Sequence, residues 1–334
     1  MKQVRFGVLA CSSVARRRML PALLAAGNAR LERIGSRSPE KAKEFAREFH
    51  CEKSGSYEDV LRDKDVDAVY ISTPPPMHEH WIRAAAKQGK HVYCEKPSFA
   101  SSELAIEMFG LFRKKGLRLM EGYAFRYHPQ HAAAKELIRQ GRIGSPRLFQ
   151  GWSIYPRPAP KDFRLQPALG GGVFLDAAGY GVAAAMDLFD SSPVSVFCAT
   201  TVDESSRVDD SVSMILQFPG GRTAQNFSAF GLQYRARYAA TGTAGRLELE
   251  RAYAIGHDVK ARITLEADSG QEVVELPPAD QFKLMIEDFS SAVLGEKFSG
   301  ADWEGKALRL QRVMDAARKS FEEKRLVSPT EGAA

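Results

Sequence analysis

VRFGVLACSSVARRRML, residues 4–20, is the stretch on which the fold turns. Val4 to Leu9 is an apolar run of strand length, and a helix-like segment follows from Val14. Between them, the positions that carry glycine in the dinucleotide fingerprint G-x-G-x-x-G read Ala10, Ser12 and Ala15. Glycine is usual there because pyrophosphate needs close backbone approach. Ala and Ser are the next smallest choices, and Ser12 or Ser13 can donate a hydroxyl to phosphate. The free N–H groups and positive dipole end of the following helix point at the same loop. Taken alone, these residues allow a plain strand–loop–helix joint. They equally allow a small-residue phosphate loop made by Ala10, Cys11, Ser12, Ser13 and Val14. Pro21 is expected to restart the helix rather than sit inside it.

Outward from this joint the rhythm continues. ARLERIGS (29–36), DAVYIST (67–73), HVYCEK (91–96) and RLMEGY (118–123) read as further strands. Helices fit between them, notably at 78–88 and 101–115, and Ser38 can cap a helix opening with Pro39. Strands separated by helices of this length predict a doubly wound parallel sheet with right-handed connections.

The rhythm changes near Ala124. A helix over 129–140 precedes alternating segments at 146–155, 211–230, 234–253 and 261–276. Pro219–Gly221, Thr243–Gly245 and Asp268–Gly270 are hairpin signals within them. These predict a large, mostly antiparallel open sheet, interrupted by a helical stretch at 172–188 and closed by helices at 280–293 and 303–323. The expected fold is α/β, with a Rossmann domain at 1–123 and an α+β domain at 124–334. The tail SPTEGAA (328–334) is expected to be disordered.

Composition narrows the function. At 334 residues the chain exceeds one ordinary core, and 44% apolar with 26% charged residues is the balance of a soluble globular protein. The first apolar run is too short for a signal peptide and is followed by Arg16–Arg18. No apolar segment is seen to approach the about 20 residues of a membrane helix, so no membrane association is expected. Cys11, Cys51, Cys94 and Cys198 are scattered, with no C-x-x-C pair, and are expected to be reduced thiols of a cytoplasmic protein. The net charge of +6 is dispersed and no nucleic-acid motif accompanies it, whereas an enzyme for phosphorylated ligands accounts for it. The pairs His78/His80 and His128/His131 have no Cys or carboxylate at ligand spacing, so no metal is expected.

The second strand bears on the cofactor. A carboxylate at its end would hold the ribose 2′-hydroxyl of NAD. Ser36 and Arg37 stand in that place. Arg and Ser hold a 2′-phosphate that an acid would repel, so a bound nucleotide is expected to be NADP(H) in preference to NAD(H). Arg16 and Arg17 lie just past the loop, as phosphate contacts or as solvated helix charges.

Two further stretches suit chemistry. YCEKPS (93–98) ends a strand, so Lys96 stands at the carboxyl edge where open parallel sheets bind ligands, with Pro97 fixing the backbone beside it. In LGGGVFLDAAGYGV (169–182) three glycines precede a helix on which Asp176 and Tyr180 share a face.

Together these pieces resemble the Gfo/Idh/MocA oxidoreductases. GVLACSSVA (7–15), STPPPMHEHWIRAAAKQGKHVYCEKP (72–97) and GGGVFLDAAGY (170–180) carry the resemblance, which spans about residues 3–325. It implies a nicotinamide lying between Lys96 and the Asp176–Tyr180 helix, and hydride passing between it and a sugar carbon. Tyr180 would be the proton donor or acceptor, with Lys96 lowering its pKa and bonding the oxygen. Asp176 would orient substrate or Lys96. Thr73, Pro74, His78, Glu95, Lys96 and Pro97 would join Ser36, Arg37 and Arg17 around the cofactor.

EGYAFRYHPQHAAAKELIRQGRIG (121–144) and YRARYAATGTAGRLELERAY (234–253) are similar to the nucleotide-sugar 3-ketoreductases of deoxysugar pathways, where the fingerprint glycines are also often eroded. Tyr123, Phe125, Tyr127 and His128 would line the sugar pocket or pack between domains. Arg164 and Tyr234 are further substrate candidates, and Tyr234, Arg235 and Arg237 would reach a diphosphate or simply lie on a strand surface. Inositol-dehydrogenase-like members have His in place of Tyr180. The Tyr form resembles sugar ketoreductases, glucose–fructose oxidoreductase and dihydrodiol dehydrogenases. The family's open sheet often forms a subunit interface, which implies a homodimer or homotetramer.

The expected activity is NADP(H)-dependent hydride transfer on a sugar, as a reductase of a nucleotide-linked keto sugar. A sugar or dihydrodiol dehydrogenase is the near alternative. A non-catalytic NADP-sensing regulator would not need Lys96 and Tyr180, and a glycosidase using tightly held NAD would favour an acid near position 37.

Overall fold

The computed structural model describes residues 2–268, 270–297 and 302–330. The chain divides into two compact units, Met1–Tyr127 with Asp280–Leu308, and His128–Ala279 with Arg309–Ala334. The strands of the first are β1 Val4–Leu9, β2 Ala29–Gly35, β3 Lys53–Gly55, β4 Ala68–Ile71, β5 His91–Cys94 and β6 Leu119–Glu121. Those of the second are β7 Pro146–Tyr155, β8 Ser195–Val202, β9 Asp209–Phe218, β10 Arg222–Phe230, β11 Arg235–Gly242, β12 Gly245–Leu249, β13 Ala261–Ala267 and β14 Gly270–Leu276. The α-helices are α1 Leu20–Ala25, α2 Pro39–Glu48, α3 Tyr57–Arg62, α4 His78–Lys87, α5 Ser102–Lys114 and α6 Pro129–Arg139. They continue with α7 Gly179–Phe189, α8 Gln281–Leu294 and α9 Trp303–Glu323.

The first unit is a parallel sheet in the order β3-β2-β1-β4-β5-β6, which is the doubly wound order with its reversal between β1 and β4. Its register aligns Gly35, Leu9, Ile71, Cys94 and Glu121 in one row across five strands. Every loop that leaves this row does so at the carboxyl edge. Strand β3 is not legible from the sequence, because three residues carry no period.

Local chemistry sets the helix starts. The Ser38 hydroxyl accepts the Lys41 amide at 3.2 Å with Pro39 in the first turn, and Ser101 accepts Leu104 at 3.3 Å. A π-helical turn, Ala15–Met19, leads directly into α1, and Pro21 lies in the first turn of the α-helical part, where its missing N–H is harmless.

Residues 280–297 and 302–308, expected in the second domain, belong to the first unit. The reason is α8. Met285, Ile286 and Phe289 are fully buried, and the Phe289 ring lies 5.9 Å from Phe6 and 6.3 Å from Tyr93. Burying one such side chain is worth roughly 1.5–3 kcal/mol.

The second unit is an eight-stranded open sheet in the order β14-β13-β12-β11-β7-β10-β9-β8. All pairs are antiparallel except β7 with β10. The turns at Pro219–Gly221 and Thr243–Gly245 join β9 to β10 and β11 to β12 as expected, whereas β8 was not anticipated. Ser269, inside the third expected turn, and residues 331–334 of the tail lie outside the described residues.

Helix α7 packs on β7 and β10 and is buried along most of its length. Pro167–Phe189 is long and apolar enough to cross a membrane by length and composition, with mean hydropathy 1.3. That corrects the expectation of no such segment. Of its apolar window 78% is buried, as in the core helix of a sheet-packed unit.

Candidate functional site

The first unit gathers one set of candidate residues at the carboxyl edge of its sheet. Ala10 follows β1 directly and takes a left-handed φ of 87°, which glycine adopts freely and alanine does not. Its amide donates to the Gly35 carbonyl at 3.1 Å, so the loop keeps the geometry of a glycine fingerprint with a methyl group in place.

A relay of hydroxyls closes the loop. The Ala15 amide donates to Ser12 Oγ at 3.1 Å, Ser12 Oγ donates to Ser72 Oγ at 2.9 Å, and Ser72 Oγ donates to the Ala10 carbonyl at 3.1 Å. Ser12 is therefore a helix cap and a brace, while Ser13 is exposed. Ser72 was not anticipated; a serine just past an apolar strand is its only trace in the sequence. Cys11 is buried, its sulfur near the Gly35 and Lys41 carbonyls, and burial pushes its thiol up to about 11.

The cations around the loop separate. Arg16 pairs with Glu44 and, at 2.9 Å, with Glu48, and it lies 4.4 Å over the Phe45 ring. It is thus held against α2 in this structure. Arg17 is exposed, its Nε donating to the Ser13 carbonyl at 3.4 Å. At the end of β2, Ser36 is buried and accepts the Ser38 amide at 3.2 Å. Arg37 is exposed beside Tyr57, with no carboxylate partner among the described residues.

Two loops further along are tied by His78. It is 1% exposed, with one ring nitrogen 2.9 Å from the Pro97 carbonyl and the other 2.7 Å from that of Thr73. Expected around the cofactor, it clamps the turns that carry Thr73 and Lys96. Burial lowers its pKa despite the two carbonyls. The Thr73 hydroxyl is buried without a hydrogen-bond partner. The Lys96–Pro97 peptide is cis.

Around Lys96, Glu95 accepts the Tyr70 hydroxyl at 2.8 Å, and Glu121 accepts the Ser98 amide at 2.9 Å. Burial raises the Glu121 carboxyl, opposed by the Ser98 amide and the charges of Arg126 and Lys96. Tyr123 and Phe125 are buried edge to face, 6.2 Å apart, and the Tyr127 hydroxyl donates to Asp288 at 3.0 Å.

The second unit holds the other set. Gly172 has φ 111°, and a Cβ there would strike the carboxylate of Asp209. Asp209, which comes from β9, accepts the Phe174 amide at 2.5 Å and so caps the helix from 35 residues away. No local sequence pattern announces it. The helix opens with a π turn, Phe174–Ala178, that contains Asp176; such turns recur at functional sites. Arg164 Nε donates to Asp176 Oδ2 at 2.7 Å, and its guanidinium also lies 3.3 Å from Asp162. Tyr180, on the next turn, is part-exposed and stacks on Tyr253.

The remaining candidates divide. His128 is buried and accepts the Gln130 amide at 3.2 Å. Tyr234 is 39% exposed and meets Tyr155 edge-on at 5.8 Å. Arg235 is exposed. Arg237 pairs with Glu248 at 2.7 Å and covers Trp152 at 4.8 Å, which is a strand-surface role.

Comparison with known proteins is consistent across the chain. Residues 4–123 match an oxidoreductase family described by its NAD-binding Rossmann fold, and residues 131–248 match the GFO/IDH/MocA C-terminal domain. The chain is 36% identical over 290 residues to a dTDP-3,4-didehydro-2,6-dideoxy-alpha-D-glucose 3-reductase of Saccharopolyspora spinosa, covering 86% of this chain and 87% of that one. It is 31% identical to an NADP(+) D-xylose 1-dehydrogenase of Haloferax volcanii, covering 95% and 97%. A 3-ketoreductase from Actinomadura kijaniata, solved with NADP and TDP-benzene, superposes with TM-score 0.92 at 32% identity, covering 96% of this chain and 98% of that one.

Proposed function

Since the chain belongs to the Gfo/Idh/MocA oxidoreductases, we propose that it is an NADP(H)-dependent reductase of a nucleotide-linked keto sugar. The observation that carries the proposal is the turn bearing Asp176 and Tyr180, with the carboxylate held by Arg164 at 2.7 Å. A part-exposed phenol one turn from an ion-paired acid suits a proton donor beside an orienting group. The sugar-nucleotide relatives and the NADP-bound neighbour support the same substrate class and cofactor.

The first unit fits the cofactor. Ala10 has the left-handed turn, Ser13 and Arg17 are exposed at the helix start, and the Thr73 hydroxyl is buried with no hydrogen-bond partner. Arg37 and the backbone around Ser36 would hold the 2′-phosphate, and the amides of 11–14 the pyrophosphate. When bound, the nicotinamide supplies the hydride that reduces the sugar carbonyl carbon, or receives it in the reverse direction.

Tyr180 gives its phenolic proton to the carbonyl oxygen as that oxygen gains charge, and is reprotonated from solvent. The Lys96 ammonium hydrogen-bonds the same oxygen and eases ionisation of the phenol, whose free pKa is about 10. Asp176, held in place by Arg164, orients the sugar or Lys96. The outer face of the large sheet, where exposed Phe197 lies opposite exposed Ile215, is the contact between subunits of a homo-oligomer. The scattered thiols suit the cytoplasm.

Calorimetric titration with NADPH and NADH, followed by turnover on keto sugars with and without a nucleotide, tests the proposal. Tight NADPH binding with turnover only of nucleotide-linked sugars supports it. Oxidation of free sugars alone would assign a sugar dehydrogenase instead. Tightly retained NAD with no turnover of free NADPH would point to the glycosidase chemistry.

A further inference from the structure

Tyr180 shares its position with a second tyrosine. In the second unit the Tyr180 and Tyr253 rings stack, with centroids 5.4 Å apart and planes 30° apart. Tyr253 lies just beyond β12 and is 2% exposed. Its backbone is clamped by the start of α6. Gln130 Nε2 donates to the Arg251 carbonyl at 3.0 Å, and His131 Nε2 lies 2.9 Å from the Ala252 carbonyl. The Ala252 amide donates to Ala236 at 2.7 Å.

With Nε2 of His131 donating, its Nδ1 is the acceptor, and the Tyr238 hydroxyl donates to it at 3.1 Å. Tyr238 in turn packs 6.4 Å from Tyr253 and 5.1 Å from Phe149. Gly151, paired with Tyr238 across β7 and β11, leaves the space the Tyr253 phenol needs; a Cβ there would lie 3.1 Å from its hydroxyl. Burial holds the Tyr253 and Tyr238 phenols above the ordinary tyrosine range, so both stay neutral.

We propose that Tyr253 is a positioning residue for proton transfer: its clamped ring is the platform that fixes the plane of Tyr180 and the direction of its hydroxyl. The inference rests on Tyr180 being the proton donor. A tyrosine on a part-exposed helix face otherwise swings about two torsions, and misaligned donors transfer protons poorly.

The test compares Tyr253→Leu, which stays apolar but loses the stack, with Tyr253→Phe, which keeps it. Tyr253→Leu is expected to lower kcat about tenfold or more, with KM for the sugar and Kd for NADPH within about twofold. Tyr253→Phe is expected to restore kcat. In cofactor-free protein with ring-labelled tyrosine, the Tyr180 resonance, identified by its loss in Tyr180→Phe, should broaden in the leucine variant and stay narrow in the phenylalanine one. If the leucine variant does not fold, Tyr253→Met is read the same way. Unchanged kcat and an unchanged resonance in Tyr253→Leu, with turnover abolished in Tyr180→Phe, would overturn the positioning role alone. Normal turnover in Tyr180→Phe would instead remove Tyr180 as donor, and the inference with it.

Discussion

Arg164 holds Asp176 through a 2.7 Å hydrogen bond, and Asp176 lies on the turn before Tyr180. The pair fixes the position of a carboxylate one turn from the proposed proton donor. Tyr180→Phe keeps the ring against Tyr253 and removes only the O–H, so kcat is expected to fall about 10²–10⁴-fold. NADPH affinity should hold in a calorimetric titration. Asp176→Asn should give a smaller loss expressed mainly in KM, as fits an orienting group. Near-normal turnover of Tyr180→Phe would exclude it from the mechanism.

Arg37 stands exposed at the end of β2 with no acid paired to it among the described residues. Arg37→Ala is expected to weaken NADPH binding roughly 10–100-fold while leaving NADH binding within about twofold. Fluorescence titration with both nucleotides decides this. Equal weakening of the two means that Arg37 does not read the 2′-phosphate.

Ala10 pays for the missing fingerprint glycine in backbone strain. At φ 87°, Ala10→Gly removes a clash worth about 1 kcal/mol and should raise the melting temperature by a few degrees. Ala10→Val should lower it. Ser12→Ala removes a helix cap and should destabilise by about 0.5–2 kcal/mol, measured by denaturant unfolding. A melting point unmoved by Ala10→Gly would show that the turn relaxes around alanine.

His78 is held below the ordinary histidine value by burial, and burial acts the same way on His91 and His128. In the unfolded chain these groups take up protons near pH 6.5; in the folded chain they do so only at lower pH. Between those values the unfolded state binds more protons, so stability falls as pH falls. It is expected to be flat above about pH 7 and to drop below about pH 6.5, by at most about 1.4 kcal/mol per pH unit for each such histidine. The buried carboxyls of Glu121 and Asp209, raised by burial, work in the opposite sense. Unfolding midpoints across this window, for wild type and His128→Asn, test the sign; a midpoint that rises between about pH 7 and pH 6 contradicts it.

Phe197 and Ile215 face each other on β8 and β9 and are 37% and 43% exposed. Replacing both with Glu puts two like charges on the proposed subunit contact. Light scattering should show the mass per particle fall toward that of one chain, with the Tyr180 side of the sheet unaffected. Wild-type protein that is already a single chain would remove the contact.

The parallel half of the fold was legible because helices and strands alternate at a spacing that permits one topology. The strand-end position of Lys96 followed from the same rhythm. What escaped was set by contacts distant in sequence. Residues 280–308 carry an amphipathic helix whose destination no local pattern encodes; Phe289 against Phe6 decides it. Asp209 caps a helix 35 residues before it, and Ser72 braces a loop 60 residues before it. His78 reads as a polar residue at a helix start, and only the fold shows it bridging two carbonyls.

The single row of strand ends, Gly35, Leu9, Ile71, Cys94 and Glu121, has a consequence for redesign. Each loop hangs from the row on its own strand, so coenzyme choice, proposed for Ser36 and Arg37, is a separable module. It can be exchanged while the Lys96 turn stays anchored by His78 and Glu121 three strands away.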